Sequence, residues 1–224
     1  MRTPLLLFDI DGTLIDSGGA GTRSLNAAFV DVLGVADAFE GISMAGKTDI
    51  QIIKEGLEKT GFDPEGRLLS ELTEAYLRIL RREIVGSAKR RKPGVGILLS
   101  RLGDAKYPLG LLTGNIEDGA RIKLRSLDLE SYFASGAFGS DHEDRNQLLP
   151  IAVRRFNSLG IDVRPEDCIV IGDTPRDIEC ARVHGARCIA VATGPYGMES
   201  LAEHSPDLLV EDLTCTSEFL SFLS

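Results

Sequence analysis

The chain has 224 residues, 43% of them hydrophobic and 26% charged, proportions that exclude a disordered or collagen-like polymer and fit a folded globular protein. Its formal net charge of -9 excludes the basic footprint that a nucleic-acid-binding surface needs. The length suits one core domain carrying an insertion better than two full domains.

The first element is the apolar run Leu5-Leu6-Leu7-Phe8, which reads as a fully buried strand of a parallel sheet. It stops at Asp9-Ile10-Asp11-Gly12-Thr13. That is too early for a signal-peptide core or a membrane span. Strand side chains repeat every two residues, so Asp9 and Asp11 are expected on one side at the carboxyl end. Two adjacent like charges there call for a cation or a shared proton. Gly12 lets the backbone turn sharply and approach a ligand closely.

Residues 16–21 form a flexible, glycine-rich hinge. Three helical stripes follow: Leu25, Phe29, Val32 and Leu33; then Ile50, Ile53 and Leu57; then Leu68, Leu72, Tyr76, Ile79 and Leu80. They predict a helical module over residues 16–90, inserted into a core made of 1–15 and 91–224. The charge run Lys89-Arg90-Arg91-Lys92 reads as a solvated junction. From Pro93 the pattern alternates. A helix at 95–102 precedes a strand ending at Thr113-Gly114-Asn115, and a helix bearing Ala120, Lys123, Leu124 and Leu127 leads to a short run at 137–139. The stripe Leu149, Ala152, Val153, Phe156 is helical again, and Ile169-Val170-Ile171 is a strand ending at Gly172-Asp173. Thr174 is placed to cap a helix opened by Pro175. Strands at 189–192 and 208–210 complete an α/β, doubly wound parallel sheet. Three strand ends thus carry polar groups, and ligands of open parallel sheets bind beyond the carboxyl ends of the strands. The four cysteines form no Cys-x-x-Cys pair and read as reduced thiols of a cytoplasmic protein.

Asp9-Ile10-Asp11-Gly12-Thr13 resembles the first motif of the haloacid dehalogenase-like hydrolases, whose core is Rossmann-like. Thr113-Gly114-Asn115 is similar to the second motif, and Gly172-Asp173-Thr174-Pro175-Arg176-Asp177 to the fourth. The third departs: the family usually has Lys there, and the matching place is Arg145, which keeps the charge but is not interchangeable with Lys. The resemblance implies that Asp9 attacks phosphorus to form an aspartyl-phosphate, and that Asp11 acts as general acid and then base. It implies Mg2+ held by Asp9, Asp11 through its backbone carbonyl, and Asp173, with Asp177 supporting the metal or serving as a capping-box partner. Gly12, Thr113, Gly114, Asn115 and Arg145 would bind the phosphoryl group.

The insertion is similar to the small α-helical cap of the phosphoglycolate phosphatase-like branch. Lys47, in Gly46-Lys47-Thr48-Asp49, is the candidate for an anionic group on the substrate or else a lysine beside a helix cap. The implied function is a magnesium-dependent phosphatase of a small phosphorylated metabolite, acting as a monomer or homodimer without a nucleic-acid or membrane partner. A phosphomutase using the same intermediate is the alternative. A dehalogenase does not need Asp11, and a phospho-receiver module has no helical insertion after its first strand.

Overall fold

The computed structural model describes residues 3–223, so the extreme ends of the expected core segment (1, 2 and 224) lie outside it. Six strands form one parallel sheet: β1 (Leu5–Phe8), β4 (Leu109–Thr113), β5 (Ser135–Phe138), β6 (Cys168–Gly172), β7 (Arg187–Val191) and β8 (Leu208–Val210). Their order is β5-β4-β1-β6-β7-β8. The chain runs outward from β1 through β4 to β5, then crosses back to place β6 on the other side of β1. That reversal makes a crevice beyond the carboxyl ends of β1, β4 and β6, where the three polar loops meet.

Every side chain of β1 is buried, and its alternation divides the core into two layers. Leu6 and Phe8 pack into one apolar cluster with α4 (Val95–Asp104) and α5 (Glu117–Arg125). Leu5 and Leu7 pack into the other, beneath α6 (Leu148–Ser158) and α7 (Pro175–Arg182). A two-residue antiparallel ladder, β2 (Ile15–Asp16) with β3 (Arg90–Arg91), joins the strands entering and leaving the insertion. Arg90 and Asp16 pair across it at 2.5 Å.

Between β2 and β3 lie α1 (Ala20–Leu33), α2 (Asp49–Lys59) and α3 (Arg67–Gly86), with an apolar cluster of their own. Phe29 and Phe39 meet edge to face at 4.7 Å over Gly56, where a Cβ would come within 2.7 Å of the Phe39 ring. A close helix approach requires that glycine. Ile116, from the loop after β4, belongs to this helical cluster too, so the core contributes to the insertion's packing. The short helices α8 (Met198–Ala202) and α9 (Thr216–Leu223) flank β7 and β8.

Candidate active site

Asp9 directly follows β1 and extends its ladder by donating its N–H to Ile171 O at 2.9 Å. Its carboxylate is buried, and burial pushes its pKa up to about 6 despite the Arg145 guanidinium 3.2 Å away. Arg145 opens a turn of 3-10 helix, Arg145–Gln147, before α6. It is also buried, and its Nη2 bridges Asp9 and Asp177. Its Nε–H is buried without a partner.

Asp177 is the third residue of α7 and completes a capping box, with Thr174 N–H and Oγ1 both donating to its Oδ2. The other oxygen accepts from Arg145. Both oxygens are therefore committed, and Asp177 fixes the guanidinium that faces Asp9.

Asp173 follows β6 and accepts from Thr13 Oγ1 at 2.8 Å. Burial, with Asp9 and Asp177 beside it, holds its pKa well above the usual carboxylate range. Two glycines make room for it. A Cβ on Gly12 (φ +89°) would stand 2.2 Å from Asp173 Oδ2, and one on Gly194 would stand 1.6 Å away. Asp9, Asp173 and Asp177 each present an oxygen within 4.8 Å of the others. Three buried carboxylates against one guanidinium leave an excess of negative charge, and an all-oxygen donor set of this kind suits a hard divalent cation.

Asp11 lies apart from that cluster. Burial pushes its carboxyl up, but the Lys123 ammonium and a bond from Asn115 outweigh burial and hold it below the usual range. Lys123 Nζ donates to Asp11 Oδ2 at 2.6 Å and to Asn115 Oδ1 at 2.5 Å, while Asn115 Nδ2 donates to the same Asp11 oxygen at 2.8 Å. The two aspartates expected to share one side thus sit in separate environments. One carboxyl is raised by burial and the other lowered by a lysine, so the two acids titrate apart.

Thr113 and Asn115 stand beside Asp11, and Thr113 Oγ1 accepts from Asn115 Nδ2 at 2.9 Å. The amides of Gly12 and Asn115 already donate, to Ile15 O and to Thr113 Oγ1, so a phosphoryl group would have to compete for them. Gly114 serves as a close-approach point. A Cβ there would lie 2.2 Å from Lys47 O, so the loop of the insertion rests on the bare backbone. Asp49 N–H donates to Gly114 O at 2.7 Å, and Asp49 Oδ2 accepts from Ile116 N–H at 2.9 Å. Thr48 caps α2 and donates to Glu143 O at 2.8 Å. Lys47 lines the resulting cavity, but its Nζ is bonded to Glu55.

The cavity measures about 290 Å3 and reaches from Asp9 and Asp173 to Leu25, Ile52 and Tyr76 of the insertion. Lys123, Asp49 and Tyr76 of this lining, and Gly194 behind Asp173, escaped the sequence reading as site residues. Lys123 carried the clearest signal, a charged residue on an otherwise apolar helix stripe. Asp49 and Tyr76 read as ordinary helix positions, and Gly194 gave no signal.

A buried acidic cluster at the switch point of a parallel sheet, covered by a helical insertion, defines a hydrolase-type site. The sequence matches the haloacid dehalogenase-like hydrolase family over residues 6–191, and the chain belongs to that family. It is 26% identical to a phosphoglycolate phosphatase of Photorhabdus laumondii, over 96% of this chain and 90% of that protein. It is 27% identical to a phosphoglycolate phosphatase of Agrobacterium fabrum, over 97% and 92%. The crystal structure of a hydrolase from Pseudomonas syringae superposes with a TM-score of 0.77 at 23% identity, covering all of both chains.

Proposed function

We propose that the protein is a magnesium-dependent phosphatase that hydrolyses a small phosphorylated metabolite through a phosphorylated Asp9. The observation that carries this reading is the division of labour between Asp9 and Asp11. Asp9 lies buried at the acidic cluster beside Arg145, while Asp11 faces the cavity under the control of Lys123.

In this reading Asp9 attacks phosphorus and the ester oxygen leaves with a proton from Asp11. Asp11 then takes a proton from the water that hydrolyses the acyl phosphate. The ammonium of Lys123 favours the ionised form of Asp11, which assists this second half and opposes the first, so the first step runs through the protonated fraction of Asp11. Arg145 has a spare N–H for a phosphoryl oxygen, and the Thr113 hydroxyl offers another contact. Asp9, Asp173 and the Asp11 carbonyl would hold Mg2+, which when bound supplies charge neutralisation for an anion approaching a carboxylate. Asp177 supports the site through Arg145. Residues 16–90 act as a cap that excludes water.

The test is phosphate release from p-nitrophenyl phosphate with and without MgCl2, alongside acid-quenched mass spectrometry for one added phosphoryl group. Wild type should require the metal and show the adduct, and Asp9→Asn should show neither turnover nor adduct. Turnover in Asp9→Asn would overturn the assignment. If a sugar phosphate is isomerised instead of releasing phosphate, the activity is that of a mutase.

A further inference from the structure

The far end of the cavity has a polarity of its own. Among the described residues lining it, each cation is already matched: Arg145 by Asp9 and Asp177, Lys123 by Asp11, and Lys47 by Glu55. The lining also carries Asp49, whose carboxyl burial pushes up to about 6, leaving it an acceptor at neutral pH. Beyond the acidic cluster there is thus no surplus of positive charge to receive a second anion.

The same end holds a donor that is only loosely engaged. The Tyr76 hydroxyl is fully buried and lines the cavity, where it faces the Asp49 carboxylate without a hydrogen bond of normal geometry. Gly21 keeps the space beside it open: a Cβ there would lie 3.3 Å from Lys123 Nζ and 4.0 Å from the Tyr76 oxygen. Lys123 has used two of its three N–H groups, on Asp11 and Asn115. Leu25, Met44 and Ile52 supply an apolar wall.

A carboxylate or phosphate only accepts, and would face Asp49. A hydroxyl both donates and accepts, so it can donate to Asp49 while accepting from Tyr76 or Lys123. Its carbon skeleton would lie on the apolar wall. We infer that this end of the cavity, formed by Tyr76, Asp49, Lys123 and the bare Gly21, receives a neutral, hydroxyl-bearing leaving group. The substrate is then the phosphate monoester of a short polyol or sugar, and not an ester carrying a carboxylate or a second phosphate. A cavity of about 290 Å3 keeps it small. The inference rests on the phosphatase reading above and departs from the substrate named for the phosphoglycolate phosphatase relatives.

The experiment compares kcat/KM of the full chain with MgCl2 on glycerol 1-phosphate, ribose 5-phosphate, phosphoglycolate, fructose 1,6-bisphosphate and p-nitrophenyl phosphate. The polyol esters should exceed phosphoglycolate and the bisphosphate by at least about tenfold, since a mismatched buried polar group discriminates strongly. Tyr76→Phe, which removes one oxygen, should lower the ratio of glycerol 1-phosphate to p-nitrophenyl phosphate about three- to tenfold, the value of one neutral hydrogen bond. Hydrolysis of p-nitrophenyl phosphate with phosphoglycolate or the bisphosphate equal to or above the polyol esters overturns the inference and leaves the phosphatase reading standing. So does p-nitrophenyl phosphate turnover with no polyol ester accepted, or an unchanged ratio in Tyr76→Phe. No release from any of the five esters overturns the phosphatase reading itself, and the inference with it.

Discussion

Replacing Asp9 with Asn should make the metal-free protein more stable while abolishing its turnover. The Asp9 carboxyl is raised from the ordinary 3.8 to about 6, chiefly by burial. Between roughly pH 4 and pH 6 the folded chain keeps a proton that the unfolded chain has released, so this group's contribution to stability falls as pH rises through that window. Above it the penalty is constant. A shift of about two units corresponds to about 3 kcal/mol. Asn removes the charge, but Arg145 then loses one of its two carboxylate partners, which offsets part of the gain. We expect metal-free Asp9→Asn at pH 7 to melt about 3–8 °C above wild type, given roughly 2–4 °C per kcal/mol at this chain length. Near pH 4 the difference should shrink, and MgCl2 should raise the wild-type Tm more than the variant's. The assay is thermal melting by circular dichroism across pH 4–8 after EDTA treatment. A variant melting at or below wild type at pH 7, or an advantage independent of pH, would refute the burial argument.

Arg145→Ala strands three buried carboxylates without their guanidinium, so it should cost about 3–5 kcal/mol in urea melts as well as turnover, with part of the stability restored by MgCl2. Lys123→Met should shift the alkaline limb of the kcat/KM–pH profile upward, because Asp11 must carry a proton for the first step and the ammonium is the largest influence lowering its carboxyl. A profile that does not move would remove Lys123 from control of Asp11. Gly194→Ala drives a methyl into Asp173 and should weaken magnesium affinity, read by calorimetry, about 10- to 100-fold.

The sheet and its acidic strand ends were legible because buried parallel strands leave an unmistakable apolar run, as in Leu5–Phe8, and the carboxylates stand directly after it. Strand order was not legible, since no local residue encodes which side of β1 receives β6. Arg145 could be located by its place before α6. Its burial between Asp9 and Asp177 could not, and that burial gives it a structural part. Asp177 left open a capping box or a metal-site role. The structure gives it the capping box and the bond to Arg145, and also sets one of its oxygens within 4.8 Å of Asp9 and Asp173, so the metal-site role stays open. Lys47 was found at the cavity, yet its pairing with Glu55 eight residues on depends on how α2 is oriented. The partnership of Asp11 with Lys123 spans 112 residues and emerges only when α5 packs beside the first strand's exit.

The meeting of Gly114 with the Lys47–Asp49 segment has a kinetic meaning. Asp49 N–H on Gly114 O, Ile116 N–H on Asp49, Thr48 on Glu143 and Arg145 Nη1 on Gly46 O tie the insertion to the core beside the cavity, with the Lys54–Glu143 ion pair further along. Were residues 16–90 to swing away as the proposed cap, these ties would have to part each time, and an opening slower than the chemistry would then set the ceiling on throughput.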